Sequence, residues 1–145
     1  MATSREEAQQ KVEAASTNNK KLMIGHNQRF VSSHEKARQL IANGEVGKTY
    51  SFRTAFGHPG LEAWSIVRRN SWFFNKEQAF ICAMSDLGVH KIDLMHYLLG
   101  EEFVEVAGFV ETNAKENTDI DDNAVCILKS ESRIIGTLAA SWGCA

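Results

Sequence analysis

The stretch Ser85-Asp86-Leu87-Gly88-Val89-His90-Lys91-Ile92-Asp93 holds the side chains best suited to chemistry. On a helix, Asp86 and His90 lie one turn apart on one face, Asp93 shares that face, and Tyr97 continues it. The result is a stripe of carboxylate, imidazole, carboxylate and phenol. Imidazole is the side chain best matched to moving protons near neutral pH. A carboxylate one turn away can orient the ring and stabilise its charged form. The positive end of the helix acts in the opposite sense and favours neutral imidazole. A neutral imidazole held by an acid is a competent general base. Gly88, inside the same helix, costs about 1 kcal/mol relative to alanine, and such a glycine often permits close approach of a ligand or another backbone. By itself, a single Asp-x-x-x-His pair fits a solvated helix face with incidental ion pairs better than it fits a site. A metal site is disfavoured: the sequence has no His-Glu-x-x-His pattern, and spacing sets no third strong ligand.

These residues need a helix behind them, and the pattern supplies one from about 84 to 99. Val89, Ile92, Met95 and Leu99 form its apolar stripe and Gly100 closes it. Upstream, Ser4 with Glu7 makes a capping box for a first helix carrying Ala8, Val12 and Ala15. Lys21-Leu22-Met23-Ile24-Gly25 reads as a short strand after it. Ser32 with Glu35 caps a second helix over 33–43, stopped by Gly44. A strand over 49–56 puts Tyr50, Phe52, Thr54 and Phe56 on one face. Residues 57–80 read as a long irregular loop holding Pro59, Trp64, Trp72, Phe73 and Phe74. Three strands follow, over 103–112, 124–129 and 133–142, the last two as a hairpin around Ser130-Glu131-Ser132. The expected class is α+β: a predominantly antiparallel open sheet with helices on one face, preceded by a helix–strand remnant of an α/β domain.

Composition narrows the setting. The chain has 145 residues, 16 Lys and Arg against 18 Asp and Glu, and a formal net charge of -2. That length suits one domain, or one domain plus a piece of another. The balance argues against a nucleic-acid surface, which needs a clear excess of Lys and Arg. No apolar run reaches the ~20 residues of a membrane span, and the N-terminus lacks the apolar core of a secretory signal. Cys82, Cys126 and Cys144 are odd in number and far apart, which argues against a disulfide framework and for a reducing cytoplasm. Each reads first as a small buried residue, although Cys82 near a helix N-terminus could be a reactive thiol.

The segment AMSDLGVHKIDLMHYLLG resembles the signature helix of the glucose–fructose oxidoreductase/inositol dehydrogenase (Gfo/Idh/MocA) family. KLMIGHNQRF is similar to that family's strand and crossover into its second domain. IANGEVGKTYSF is similar to its helix end, turn and first strand, and DIDDNAVCILKSESRIIGTLAASW to its later hairpin. The resemblance covers nearly the whole chain in the right order. It implies an N-terminal dinucleotide-binding domain followed by an α+β substrate domain, with Asp86 and His90 in the family's Asp-x-x-x-His pattern. Residues 1–25 then correspond to the end of the dinucleotide-binding domain. Residues 26–145 correspond to an incomplete substrate-binding and oligomerisation domain. The sequence contains neither a Gly-x-Gly-x-x-Gly turn nor the family's Glu-Lys-Pro motif. Ala79-Phe80-Ile81-Cys82-Ala83 stands where family members often carry a Gly-Gly run.

What the resemblance implies is a nicotinamide-dependent oxidoreductase acting on a sugar, polyol or related hydroxyl compound. NAD or NADP would be the cofactor of the intact enzyme. His90 would accept the hydroxyl proton and Asp86 would orient it. Arg29, Asp93 and His58 are the candidate substrate contacts, with a surface ion pair an equal alternative for Arg29 and a solvated loop position the commoner one for His58. The chain alone is expected to bind dinucleotide weakly or not at all, and to turn over nothing. The competing expectation is a non-catalytic oligomerisation or binding module that uses the open sheet face. Either Phe103, Ala107 and Phe109, or the alternate set Val104, Val106 and Val110, must be covered there. The expected partners are a small hydroxyl compound and a second copy of the chain, with no metal, nucleic acid or membrane.

Overall fold

The computed structural model describes residues 2–60, 75–76, 83–116 and 118–143. Trp64, Trp72, Phe73, Phe74, Cys82 and Cys144 lie outside these, as do residues 79–82, all but the last of the segment Ala79-Phe80-Ile81-Cys82-Ala83.

The first helix, α1 (Arg5–Thr17), begins where its capping box predicts. The Glu7 backbone N–H donates to Ser4 Oγ at 3.1 Å. The Glu7 carboxylate reaches one residue further back than expected, accepting from the N–H and hydroxyl of Thr3, each at 2.9 Å. These hydrogen bonds hold the Glu7 carboxyl below its ordinary pKa. The strand expected over 21–25 does not form. A strand exists by pairing its backbone with a neighbour, and none of the described strands lies beside it.

A short 3₁₀ turn (Asn27–Phe30) leads into α2 (Ser32–Ala42). Val31, one residue earlier than expected, is its N-cap, with no side-chain cap. Ser32 is therefore already inside the first turn, and the Ser32–Glu35 box is not made. After β1 (Ser51–Gly57), the chain passes through a π-helical turn (Met84–Gly88) into α3 (Val89–Leu99), closed by Gly100 in the left-handed conformation at φ 69°. Strands β2 (Phe103–Glu111), β3 (Asn123–Ser130) and β4 (Ile135–Ser141) complete the sheet.

The sheet order is β1-β4-β3-β2. β2–β3 and β3–β4 are antiparallel, but β1 pairs in parallel with β4, so the sheet is mixed rather than predominantly antiparallel. The cause is the helical crossover between β1 and β2. It carries the chain to the opposite edge of the sheet and back to the end at which β1 began, so β2 runs in the same direction as β1. The β3–β4 hairpin then fills the gap with β4 alongside β1.

Alternation along β3 and β4 buries Ala124, Cys126, Leu128, Leu138 and Ala140 on the helix side. Leu87 from the π turn and Trp142 just past β4 join this core, with Phe52 and Ile92 against it. Gly136 pairs with Phe52 in the β1–β4 register, and the Phe52 ring lies flush on it, in the space a Cβ would fill. Of the expected stripe of α3 only Met95 is fully buried, with Val89, Ile92 and Leu99 partly so; Leu94 and Asp93 are buried as well, where α2 and the 3₁₀ turn pack on the helix. Among the described residues no helix is long and apolar enough to cross a membrane, and no three His, Cys, Asp or Glu side chains are grouped to hold a metal ion.

Candidate active site

The parallel pairing of β1 with β4 brings the candidate residues together. Gly57 is the register partner of Ser141, and His58 N–H extends the ladder by donating to the Ser141 carbonyl at 3.1 Å. His58 therefore arrives beside Trp142, and the two rings stack with centroids 6.4 Å apart and planes 19° from parallel. The π turn lies across them and delivers Asp86. Its carboxylate accepts from Trp142 Nε1 at 3.3 Å and faces His58 Nε2 at 3.7 Å. His58 Nδ1 accepts the Gly60 N–H at 3.0 Å. With that nitrogen acting as acceptor, the proton of the neutral ring belongs on Nε2, the nitrogen facing Asp86.

His90 points elsewhere. Its ring meets His26 edge-on at 5.8 Å and Phe56 at 6.5 Å. No hydrogen bond joins it to Asp86, so the expected orientation of the imidazole by that carboxylate is absent from this arrangement. The π turn is the reason. Its wider winding breaks the stacking that an α-helix imposes on residues four apart, and Asp86 is drawn toward Trp142. His90 Nδ1 is buried without a hydrogen-bond partner. Its Nε2 is not among the buried atoms and also makes no hydrogen bond among the described residues, which leaves that nitrogen open.

Arg29 and Asp93, expected separately as substrate contacts, are hydrogen-bonded to each other. Both Nε and an Nη of Arg29 donate to the Asp93 carboxylate, the first at 2.8 Å. His26 Nδ1 stands 3.7 Å from the same group. Burial alone would raise the Asp93 pKa. The Arg29 hydrogen bonds, with attraction from His26, Arg29 and His96, outweigh burial and hold it below the ordinary value. Asp93 in turn raises Arg29. The pair fastens the crossover segment to α3, helped by Lys91 Nζ donating to Gln28 Oε1 at 3.0 Å. Tyr97, the last member of the sequence stripe, lies under the guanidinium of Arg38 at 4.4 Å and near that of Arg29 at 5.5 Å.

This pair sets a pH dependence. A carboxyl whose folded pKa is depressed adds stability above the ordinary carboxylate pKa, ~3.9, and loses it as pH falls through the folded value. Arg29 is partly exposed, so the contribution is expected to be about 1 kcal/mol. Asp93→Asn should therefore lower the unfolding free energy near neutrality and leave it nearly unchanged at about pH 2. Equal losses at both pH values in urea titrations would refute this.

Two members of the site, His26 and Trp142, were not singled out by sequence reasoning. His26 sits in the crossover motif beside Arg29, which was a usable signal. Trp142 becomes visible only through strand register.

The model of the GFO/IDH/MocA C-terminal domain matches residues 34–145. The chain belongs to the Gfo/Idh/MocA family. Among family relatives, the myo-inositol 2-dehydrogenase of Thermotoga maritima is 26% identical over 81% of this chain and 33% of its own length. The levoglucosan dehydrogenase of Pseudarthrobacter phenanthrenivorans is 25% identical over 97% of this chain and 41% of its own. The crystal structure of an NAD binding oxidoreductase from Klebsiella pneumoniae superimposes with a TM-score of 0.85 at 25% identity, over 99% of this chain and 40% of that one. The chain thus spans a third to two fifths of the length of these Gfo/Idh/MocA proteins.

Proposed function

We propose that this chain is the substrate-binding part of an NAD(P)-dependent oxidoreductase acting on a sugar, polyol or related hydroxyl compound, with His90 as proton acceptor. In this reading residues 1–25 are the end of the cofactor domain and 26–145 the substrate domain. The relatives named above, a myo-inositol 2-dehydrogenase and a levoglucosan dehydrogenase, support the reaction class. The observation that carries the residue assignment is the unbonded, unburied Nε2 of His90, on a ring whose other nitrogen is buried.

The residues present fit one half of such a site. No glycine-rich phosphate turn occurs in the sequence, so the dinucleotide phosphates have no cradle in these residues. An open imidazole nitrogen on one helix turn, with a fixed carboxylate on the π turn before it, suits an alcohol. NAD(P), held by the rest of an intact enzyme, would supply the hydride acceptor. The chain's own residues do three things. His90 Nε2 takes the hydroxyl proton, with the resident proton of the neutral ring on Nδ1. Asp86, held by Trp142 and His58, accepts a hydrogen bond from a neighbouring hydroxyl and fixes the alcohol's orientation. The Arg29–Asp93 pair holds the crossover against α3 and so keeps His26 and His90 in place. Turnover of a His90→Ala enzyme tests the assignment.

The open sheet face supports self-association in the same protein. Phe109, Val125 and Ile127 on adjacent strands, with Ile135 beside them, leave apolar side chains in water; Phe109 is 79% exposed. Ala107 and Phe109 share this face. A register shift between Phe103 and Glu105 turns Phe103 to the other side, against Phe52. Val106 and Val110 pair with the buried Leu128 and Ala124 on the helix side but are themselves exposed. A face of this kind marks an interaction surface. Sedimentation is expected to show a homo-oligomer that Phe109→Glu converts to monomer, and an unchanged sedimentation coefficient would rule out this face as the contact.

A further inference from the structure

The basic side chains of the site differ in whether a carboxylate faces them. Arg29 is consumed by Asp93. His26 and His58 each face an acid, Asp93 and Asp86 respectively. Lys91 is the exception. Its ammonium donates to the neutral Gln28 side-chain oxygen at 3.0 Å and lies 5.1 Å from the centre of the Phe56 ring. Among the described residues no carboxylate is within ion-pair distance of it. Phe56 is the same ring that His58 meets edge-on at 6.3 Å and His90 at 6.5 Å. The Phe56 ring is therefore a shared floor, with the proposed base, the His58–Asp86 pair and one unneutralised ammonium around it.

A half-buried ammonium without a counter-ion carries a desolvation cost. Gln28 satisfies one of its three N–H groups, and the aromatic face attracts the cation weakly. Neither cancels the charge. Both hold the lysine in one place while leaving donors for another acceptor. We propose that Lys91 recognises an anionic group, a carboxylate or phosphate, on the substrate itself, so that the hydroxyl compound turned over beside His90 is an acidic sugar derivative. The proposal rests on the dehydrogenase reading above and adds the substrate's charge to it. Burial also pulls the Lys91 pKa below that of ordinary lysine, as expected for an ammonium that waits for its counter-ion.

An anion could also come from the cofactor, whose pyrophosphate carries the same chemistry, so the test has an arm for each source. The probes are gluconate, glucose 6-phosphate, neutral glucose and inorganic pyrophosphate. Each is added to the chain labelled at its histidine side chains, and shifts of the His90 ring signals are followed by NMR. Half-saturation by gluconate or glucose 6-phosphate is expected at a concentration about tenfold below that for glucose, since a charge-assisted hydrogen bond is worth a factor of this order. Lys91→Gln should remove the difference between charged and neutral sugars. Lys91→Arg should retain most of it, which separates charge recognition from loss of packing.

Equal responses to charged and neutral sugars, or full discrimination by the Lys91→Gln chain, would overturn the proposal while leaving the dehydrogenase reading intact. Tighter binding of pyrophosphate than of either acidic sugar would also overturn it, assigning the ammonium to the cofactor. Loss of the dehydrogenase reading has a separate signature: an intact enzyme carrying this chain that oxidises none of these hydroxyl compounds with NAD or NADP.

Discussion

Replacing His90 with alanine in an intact enzyme that carries this chain is expected to lower kcat by ~10²–10⁴-fold, the usual contribution of a general acid–base group. KM should change by less than about threefold, because the lost interaction is a proton transfer realised on the way to the transition state and not a ground-state contact. The geometry makes the prediction specific. His90 Nε2 is open and unbonded while Nδ1 is buried, so truncation removes an acceptor without breaking any hydrogen bond of the fold. Stability should fall only through lost packing against His26 and Phe56, and a normal urea midpoint with a collapsed rate is the expected pair of results. Added imidazole should restore part of the rate by occupying the vacated space. A near-normal kcat would remove His90 from the mechanism, and a raised KM with unchanged kcat would reassign it to binding.

Local signals carried much of the fold into the sequence, and non-local ones did not show there. The Ser4 cap, the Gly100 stop and the alternation of β3 and β4 depend on neighbours in the chain, so each was legible. The 21–25 strand was misread because an apolar run does not reveal whether a pairing partner exists. The parallel β1–β4 pairing was missed for the same reason, since it joins segments far apart in sequence. That pairing decides the site: without it His58 is a loop histidine and Trp142 a strand end, and neither is seen to hold Asp86. The Asp86–His90 stripe was read with α-helical periodicity. Only the structure shows the π turn that separates the two side chains, one toward Trp142 and one toward His26. Arg29 and Asp93 were each recognised as notable, but their mutual bond depends on how the crossover folds over α3.

The largest effect on stability is expected at a residue with no part in the chemistry. Asp122 is fully buried, and its carboxylate accepts the backbone N–H groups of Asn113, Ala114 and Lys115 at 3.1, 3.0 and 2.6 Å. Three converging N–H donors form a nest that suits a negative charge. The backbone of Asp122 is also tied, donating to Glu111 and accepting from Trp142 N–H at 2.7 Å. One residue therefore joins the β2–β3 connection to the end of β4. Asp122→Ala leaves three donors without their acceptor in a place that closes over the missing carboxylate, and should cost about 2–4 kcal/mol, with water reaching the exposed end of the loop limiting the loss. Asp122→Asn keeps one oxygen but turns an amide N–H₂ toward a donor, and should cost about 1–2 kcal/mol. Urea unfolding at constant m-value checks the order, alanine worse than asparagine worse than wild type. Because Trp142 hangs from this residue and its indole N–H holds Asp86, the Trp142 indole signal should move in both variants. A loss under about 1 kcal/mol for alanine, or an unmoved indole, would mean that the nest does not tie the sheet to the site.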